Sequence, residues 1–177
     1  MIPATYNERA IDLESPLFVC LTNCVDDRDF QAFAHRFGDL GGVDEMRELA
    51  GKLSEAAAFT LDEQVFEREG AQANRGVHVM VANKLLFSGD AGGVVPRLVV
   101  RAGRPRFVFE ASSLAIFMAL ELGAAIEAGA FMRRCAHCHK AFLFGPMTKR
   151  RSTAQYCSDR CRAAATRFRK ADQDVGS

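Results

Sequence analysis

Four cysteines in the last third of the chain have the residue type and the spacing to do chemistry. Cys135 and Cys138 stand in MRRCAHCHKAF, and Cys157 and Cys161 in QYCSDRCRAAATRFRK; together they read C-x2-C-x18-C-x3-C. One such pair alone could be a redox couple, half of a metal site, or two small buried residues. Two pairs at this separation suit a tetrahedral ion, and zinc favours sulfur and has no redox chemistry of its own. The first pair fits a tight turn whose backbone amides can reach the sulfurs. The second fits a helix start, with Cys157 just outside and Cys161 in the first turn, where the helix dipole favours a thiolate. A knuckle, a hairpin and a helix carrying the last ligand make the layout of a treble-clef finger. The expectation is one structural zinc on Cys135, Cys138, Cys157 and Cys161. A small unit with few apolar residues needs such a staple. A thioredoxin-like redox pair would instead stand alone at the end of a strand in a larger fold.

His137 and His139 flank the first pair. With four thiols available they read as exposed or supporting residues. Cys20 and Cys24 lie in an apolar run and read as small buried side chains.

Charge singles out the same region. The net charge of +1 hides a split: residues 131–170 hold 11 Lys+Arg and one acid, whereas residues 1–130 hold 12 Lys+Arg and 19 Asp+Glu. Winding the last helix at about 100° per residue puts Cys161, Ala164, Ala165 and Phe168 on one side. Arg162, Thr166, Arg167, Arg169 and Lys170 take the rest. The loop adds Lys149, Arg150 and Arg151, and Arg133 and Arg134 precede the knuckle. A merely solvated face would mix both signs. A cationic surface on a rigid support suits phosphate-backbone contact. These nine Arg and Lys residues are therefore the expected nucleic-acid contacts. Phe142 and Phe144 belong to the hairpin, where at least one should cover the zinc site beside Tyr156.

The elements that must position this site read as an α+β chain in two units, residues 1–130 and 131–177. SPLFVCLTNCV is apolar and β-branched and reads as a buried strand. DDRDFQAFAHRFGDLGG has Phe30, Phe33, Ala34 and Phe37 at helical spacing before glycines stop it. VDEMRELAGKLSEAAAF repeats that pattern through Met46, Leu49, Leu53, Ala56 and Ala57. Thr60 and Glu63 resemble a capping box that opens a short helix through Glu69. VHVMVANKLLFSG, from Val77, reads as a strand or two. PRLVVRAGRPRFVFE reads as a hairpin around AGRP. Ser112 or Ser113 should then cap a long apolar helix reaching Gly129, central to the first unit.

Residues 114–170, with RRCAHCHKAF and RRSTAQYCSDRCRAAATRFRK, resemble the C-terminal zinc finger of the CGNR family. Proteins of that family join an N-terminal ABATE domain to such a finger and are regarded as stress-induced bacterial transcriptional regulators. The resemblance implies the same four ligands and a zinc-dependent DNA-binding role, with residues 1–130 as an ABATE-like domain. The name-giving Cys-Gly-Asn-Arg stands here as CRAA, Cys161 to Ala164. YCSDRCR is also similar to treble-clef fingers of the MYND type, which bind proteins. The alternative is therefore an adaptor that docks an acidic partner.

Other functions find little support. There is no nucleophile elbow, no phosphate-binding glycine loop and no HExxH. SGDAGGVV is glycine-rich but reads as a hairpin loop. A zinc closed by four thiolates leaves no position for a catalytic water. No enzyme activity is expected. The apolar run LAIFMALELGAAIEAGAF carries Glu121 and Glu127 and reads as a buried helix, not a membrane span. The N-terminus has no basic start followed by an apolar block. A cytoplasmic chain with reduced thiols is expected, with residues 1–130 open to a small-molecule effector or a dimer partner and no membrane contact.

Overall fold

A computed structural model describes residues 11–38, 40–62, 93–101 and 104–175. Helices dominate: α1 (Leu17–Thr22), α2 (Asp27–Phe37), α3 (Val43–Leu61), α4 (Leu114–Glu127) and α5 (Asp159–Val175). Two antiparallel hairpins join them, β1 (Val94–Arg101) with β2 (Arg104–Ala111), and β3 (Phe131–Arg134) with β4 (Ala141–Phe144). The class is α+β, as the sequence predicts.

The run expected as a buried strand is α1. Short apolar runs fit a strand or a buried helix equally by periodicity. Here Pro16 precedes a single turn and a half that buries Leu17, Phe18, Val19 and Leu21. No side chain of its own caps this helix. The carboxylate of Glu121, on α4, instead accepts the Phe18 N–H at 3.1 Å in the interior. The charge that argues against a membrane span is thus 2% exposed and serves as the cap for another element.

At the start of α2 the Asp26 side chain accepts from Asp29 N, and Gly38 ends the helix at φ 114°, a glycine stop as predicted. α3 runs further than its pattern suggests. Thr60 lies inside its last turn, its hydroxyl donating to Ala56 O at 2.7 Å, so it caps nothing. Of the helix expected from the Thr60 cap through Glu69, residues 63–69 lie outside the described residues, as do the strands expected over 77–89.

Ser113 caps α4 by accepting from Ile116 N. The expected long apolar helix is shorter than read, at fourteen residues, and α3 exceeds it at nineteen. Its apolar run outlasts the helix because Gly129 takes φ 65°. Ala130 N then donates back to Ala125 O, and Gly129 N to Ile126 O, a Schellman stop.

The main core gathers α1, α2, α3 and α4, and it continues into β3–β4. The register pairs Phe131 with Phe144, Met132 with Leu143, and Arg133 with Phe142. Alternation sends Met132, Ala141 and Leu143 to the helical core. Phe131, Phe142 and Phe144 go to a second cluster around the cysteines. One short hairpin is therefore shared by two cores. Its outer edge is held by Asn23 at the end of α1. The Asn23 amide donates to Ala141 O at 2.9 Å and accepts from Ala141 N at 2.7 Å, in the manner of a neighbouring strand.

Asn23→Ala removes both bonds and leaves two half-buried backbone groups unpartnered. It should destabilise the fold by about 1–3 kcal/mol, read as a lower urea midpoint with an unchanged slope. An unchanged midpoint would show that the clasp contributes nothing.

Candidate metal centre

Cys135 directly follows β3, and its N–H donates to Lys140 O across the turn that leads into β4. His139 N donates to Cys135 O, and His139 takes φ 60°, so the chain folds back within six residues. This turn carries Cys135 and Cys138 on one side. The second pair is set by a helix start. Ser158 accepts from Cys161 N through its hydroxyl and from Arg162 N through its carbonyl, which makes it the cap of α5. Cys157 lies just before that cap and Cys161 in the first turn, as the sequence predicts.

The four sulfurs all lie within 4.8 Å of one another. Cys138 and Cys157 approach to 3.6 Å, as do Cys157 and Cys161. A tetrahedral ion with sulfur ligands at about 2.3 Å would set them about 3.8 Å apart. A disulfide needs about 2.05 Å, and all six cysteines are free thiols. The donor set and its spacing therefore fit a metal ion with four protein ligands.

The surroundings favour thiolate at one corner. Burial opposes ionisation of Cys135, but the backbone N–H groups of Cys138, Cys157 and His137 together outweigh it and lower the thiol to about 6. Cys157 N reaches that sulfur at 3.4 Å. Cys157 is the opposite case: burial, then the Cys161, Cys138 and Cys135 sulfurs, push it up to about 12. Burial also raises Cys138, although Lys140 N–H works against it. A cation at the centre would remove the mutual repulsion that holds these thiols neutral.

Aromatic residues wall the cage. Phe144 is fully buried and stacks on Phe131 at 5.7 Å. Phe142 is buried as well, and Tyr156 packs beside the cluster, as expected. The Arg133 guanidinium lies 3.8 Å over the Phe144 ring and donates to Ala154 O at 3.1 Å. His137 faces the Phe168 ring at 5.8 Å. Phe168 is on the cysteine side of α5, but it is 66% exposed and covers little. Cys20 and Cys24 are half-buried against the helical core, far along the chain from this cluster.

The predicted basic residues divide by what they touch. Arg133 is committed to the cage, and Arg134 donates to His139 O. Arg150 donates from Nε to Cys157 O and from Nη1 to Glu14 O, tying the loop to a cysteine and to the segment before α1. Lys149 pairs with Glu14 at 2.8 Å, and Arg162 with Asp159 at 3.0 Å. The exposed Arg151 and Arg167 side chains have no polar partner among the described residues. Arg169 and Lys170 follow on α5, with side chains outside the described set.

The loop is aimed by a residue that sequence patterns do not single out. Thr148 is fully buried; its hydroxyl donates to Gly145 O at 2.8 Å and accepts from Arg150 N at 3.2 Å. Met147 and Lys149, on either side, take φ of 60° and 55°, a region unfavourable for such side chains. Glu14 was likewise invisible to motif reading, because only the fold brings it to Lys149.

No protein-family model, curated protein or solved structure matches the chain. Among the described residues no helix is long and apolar enough to cross a membrane.

The Cys135 value sets a proton count. Metal loading at pH 7.5 should release fewer than four protons per ion, because Cys135 is already ionised there. Below pH 6 the count should rise to four while affinity falls. Calorimetry in buffers of different ionisation enthalpy reads this number directly. A full four at pH 7.5 would mean that the three N–H groups do not hold Cys135 as thiolate.

Proposed function

We propose that the chain is a zinc-dependent nucleic-acid-binding protein, with DNA the favoured partner, built as a basic treble-clef finger on an α+β unit. The observation that carries this reading is positional. The segment with 11 basic residues and one acid is the segment that folds around the four thiols. Zinc is the ion that best suits four thiolates in a tetrahedron. Its role is structural, because all four positions are filled by sulfur and no water can be activated there. The ion would fix the β3–β4 turn to the start of α5. Exposed cations on that helix and on the loop before it would then meet phosphates in one rigid array.

The resemblance of residues 114–170 to the CGNR finger points the same way and suggests transcriptional regulation. Residues 1–130 would supply an effector site or a dimer contact. The competing adaptor reading draws on the same basic surface and on exposed Phe168 and Met147.

Fluorescence anisotropy of labelled random duplex DNA across a salt series tests the reading. Zinc-loaded protein should bind with a log–log salt slope of several units. Chelator, or Cys161→Ser, should abolish binding while far-ultraviolet circular dichroism retains most of the helix. Flat anisotropy at low salt would remove the nucleic-acid reading and leave the acidic-partner adaptor.

A further inference from the structure

A groove of about 800 Å³ opens between the segment before α1 and the start of α5. Ligand sites commonly measure about 300–1,000 Å³. Its walls carry four cations, Lys149, Arg150, Arg151 and Arg162, and two carboxylates, Glu14 and Asp159. The hydroxyl-bearing Thr153 and Ser158 also line it. These cations come from two places, the loop of Lys149 to Arg151 and the first turn of α5, and Thr148 and the cysteine cluster fold that loop back.

Their present partners show how the groove is balanced. Arg150 is half-buried and held by two carbonyls, so it is part of the wall. Lys149 is 77% exposed and pairs with Glu14. Arg162 and Asp159 are an exposed pair three residues apart on α5. Exposed pairs of this kind are weak and readily exchanged. Arg151, beside Lys149, has no side-chain partner among the described residues. The positive excess is therefore largely solvent-facing, on the loop of Lys149 to Arg151 and the first turn of α5. Glu14 supplies two oxygens to it, a carboxylate to Lys149 and a carbonyl to Arg150, each at 2.8 Å.

We infer that this groove seats a backbone phosphate of the nucleic acid, and that the Glu14 carboxylate is its internal stand-in in the free protein. The inference rests on the nucleic-acid reading above and names the place where it is realised. Lys149 exchanges Glu14 for a phosphate oxygen, and Arg151 closes on the same group with its planar fork. Arg150 stays with its carbonyls. The outward face of α5 is then a secondary contact, and affinity is set by competition between phosphate and Glu14.

Three variants of the full, metal-loaded chain test this with labelled duplex DNA. Arg151→Ala should weaken binding about tenfold and lower the salt slope by about one. Glu14→Gln keeps the shape, removes the competing charge, and should tighten binding about two- to fivefold. A gain of affinity cannot come from misfolding. Arg28→Ala makes the same charge change on exposed α2 and should stay within about twofold of wild type. Equal losses in Arg151→Ala and Arg28→Ala, or no gain in Glu14→Gln, would overturn the groove as the seat while wild-type binding stands. Absence of wild-type binding would remove both readings together.

Discussion

The structure depends on the alternation of side chains along one hairpin of two four-residue strands. β3–β4 presents Met132, Ala141 and Leu143 to the helices and Phe131, Phe142 and Phe144 to the thiols. A strand reverses its facing at every residue. A slip of one position would therefore put the phenylalanines into the helical core and leave the cage unwalled. Leu143 and Phe144 are both almost fully buried, in different clusters. The cysteine cluster is thus not an appendage. Its floor is the back of a hairpin whose other face completes the main core, and Asn23 pins its edge.

From that floor the placement of charge follows. A short segment dense in cations would repel itself if its charges were all free. Several are instead used to close the fold. Arg133 lies on the Phe144 ring, where a cation meets the negative face of the aromatic system. Arg134 and Arg150 satisfy carbonyls that the tight turns leave open. Most of the exposed cations that remain among the described residues of this segment lie on the loop before α5 and along α5 itself. Composition alone treats all of these residues alike; the structure separates those that build the centre from those that face outward.

Much of this was legible in the sequence, for identifiable reasons. Helices α2 and α3 have apolar residues at a sustained helical period, and α4 has a capping serine with its partner amide three residues on. The stretches that form β1 and β2 carry β-branched and aromatic residues. The four thiols could be grouped because ligand chemistry constrains spacing tightly. α1 was not legible, since a run so short has no period to read. It is helical because a carboxylate a hundred residues away caps it, and local propensity contains no trace of that. Thr60 illustrates the converse: a local capping pattern is overridden when the preceding helix gains burial by continuing.

The sequence by itself determined the ligand type, the number of thiols, the cationic character of the segment around them and the α+β class. Each is a property of residue identity or of spacing over a few turns. Tertiary structure alone decided that Glu121 caps α1, that Asn23 clasps β4, and that Glu14 meets Lys149. It also decided which arginines are spent inside the fold. Those pairings span more than a hundred residues of chain. They exist only after the hairpin has brought two cores together, so no local pattern could have encoded them visibly.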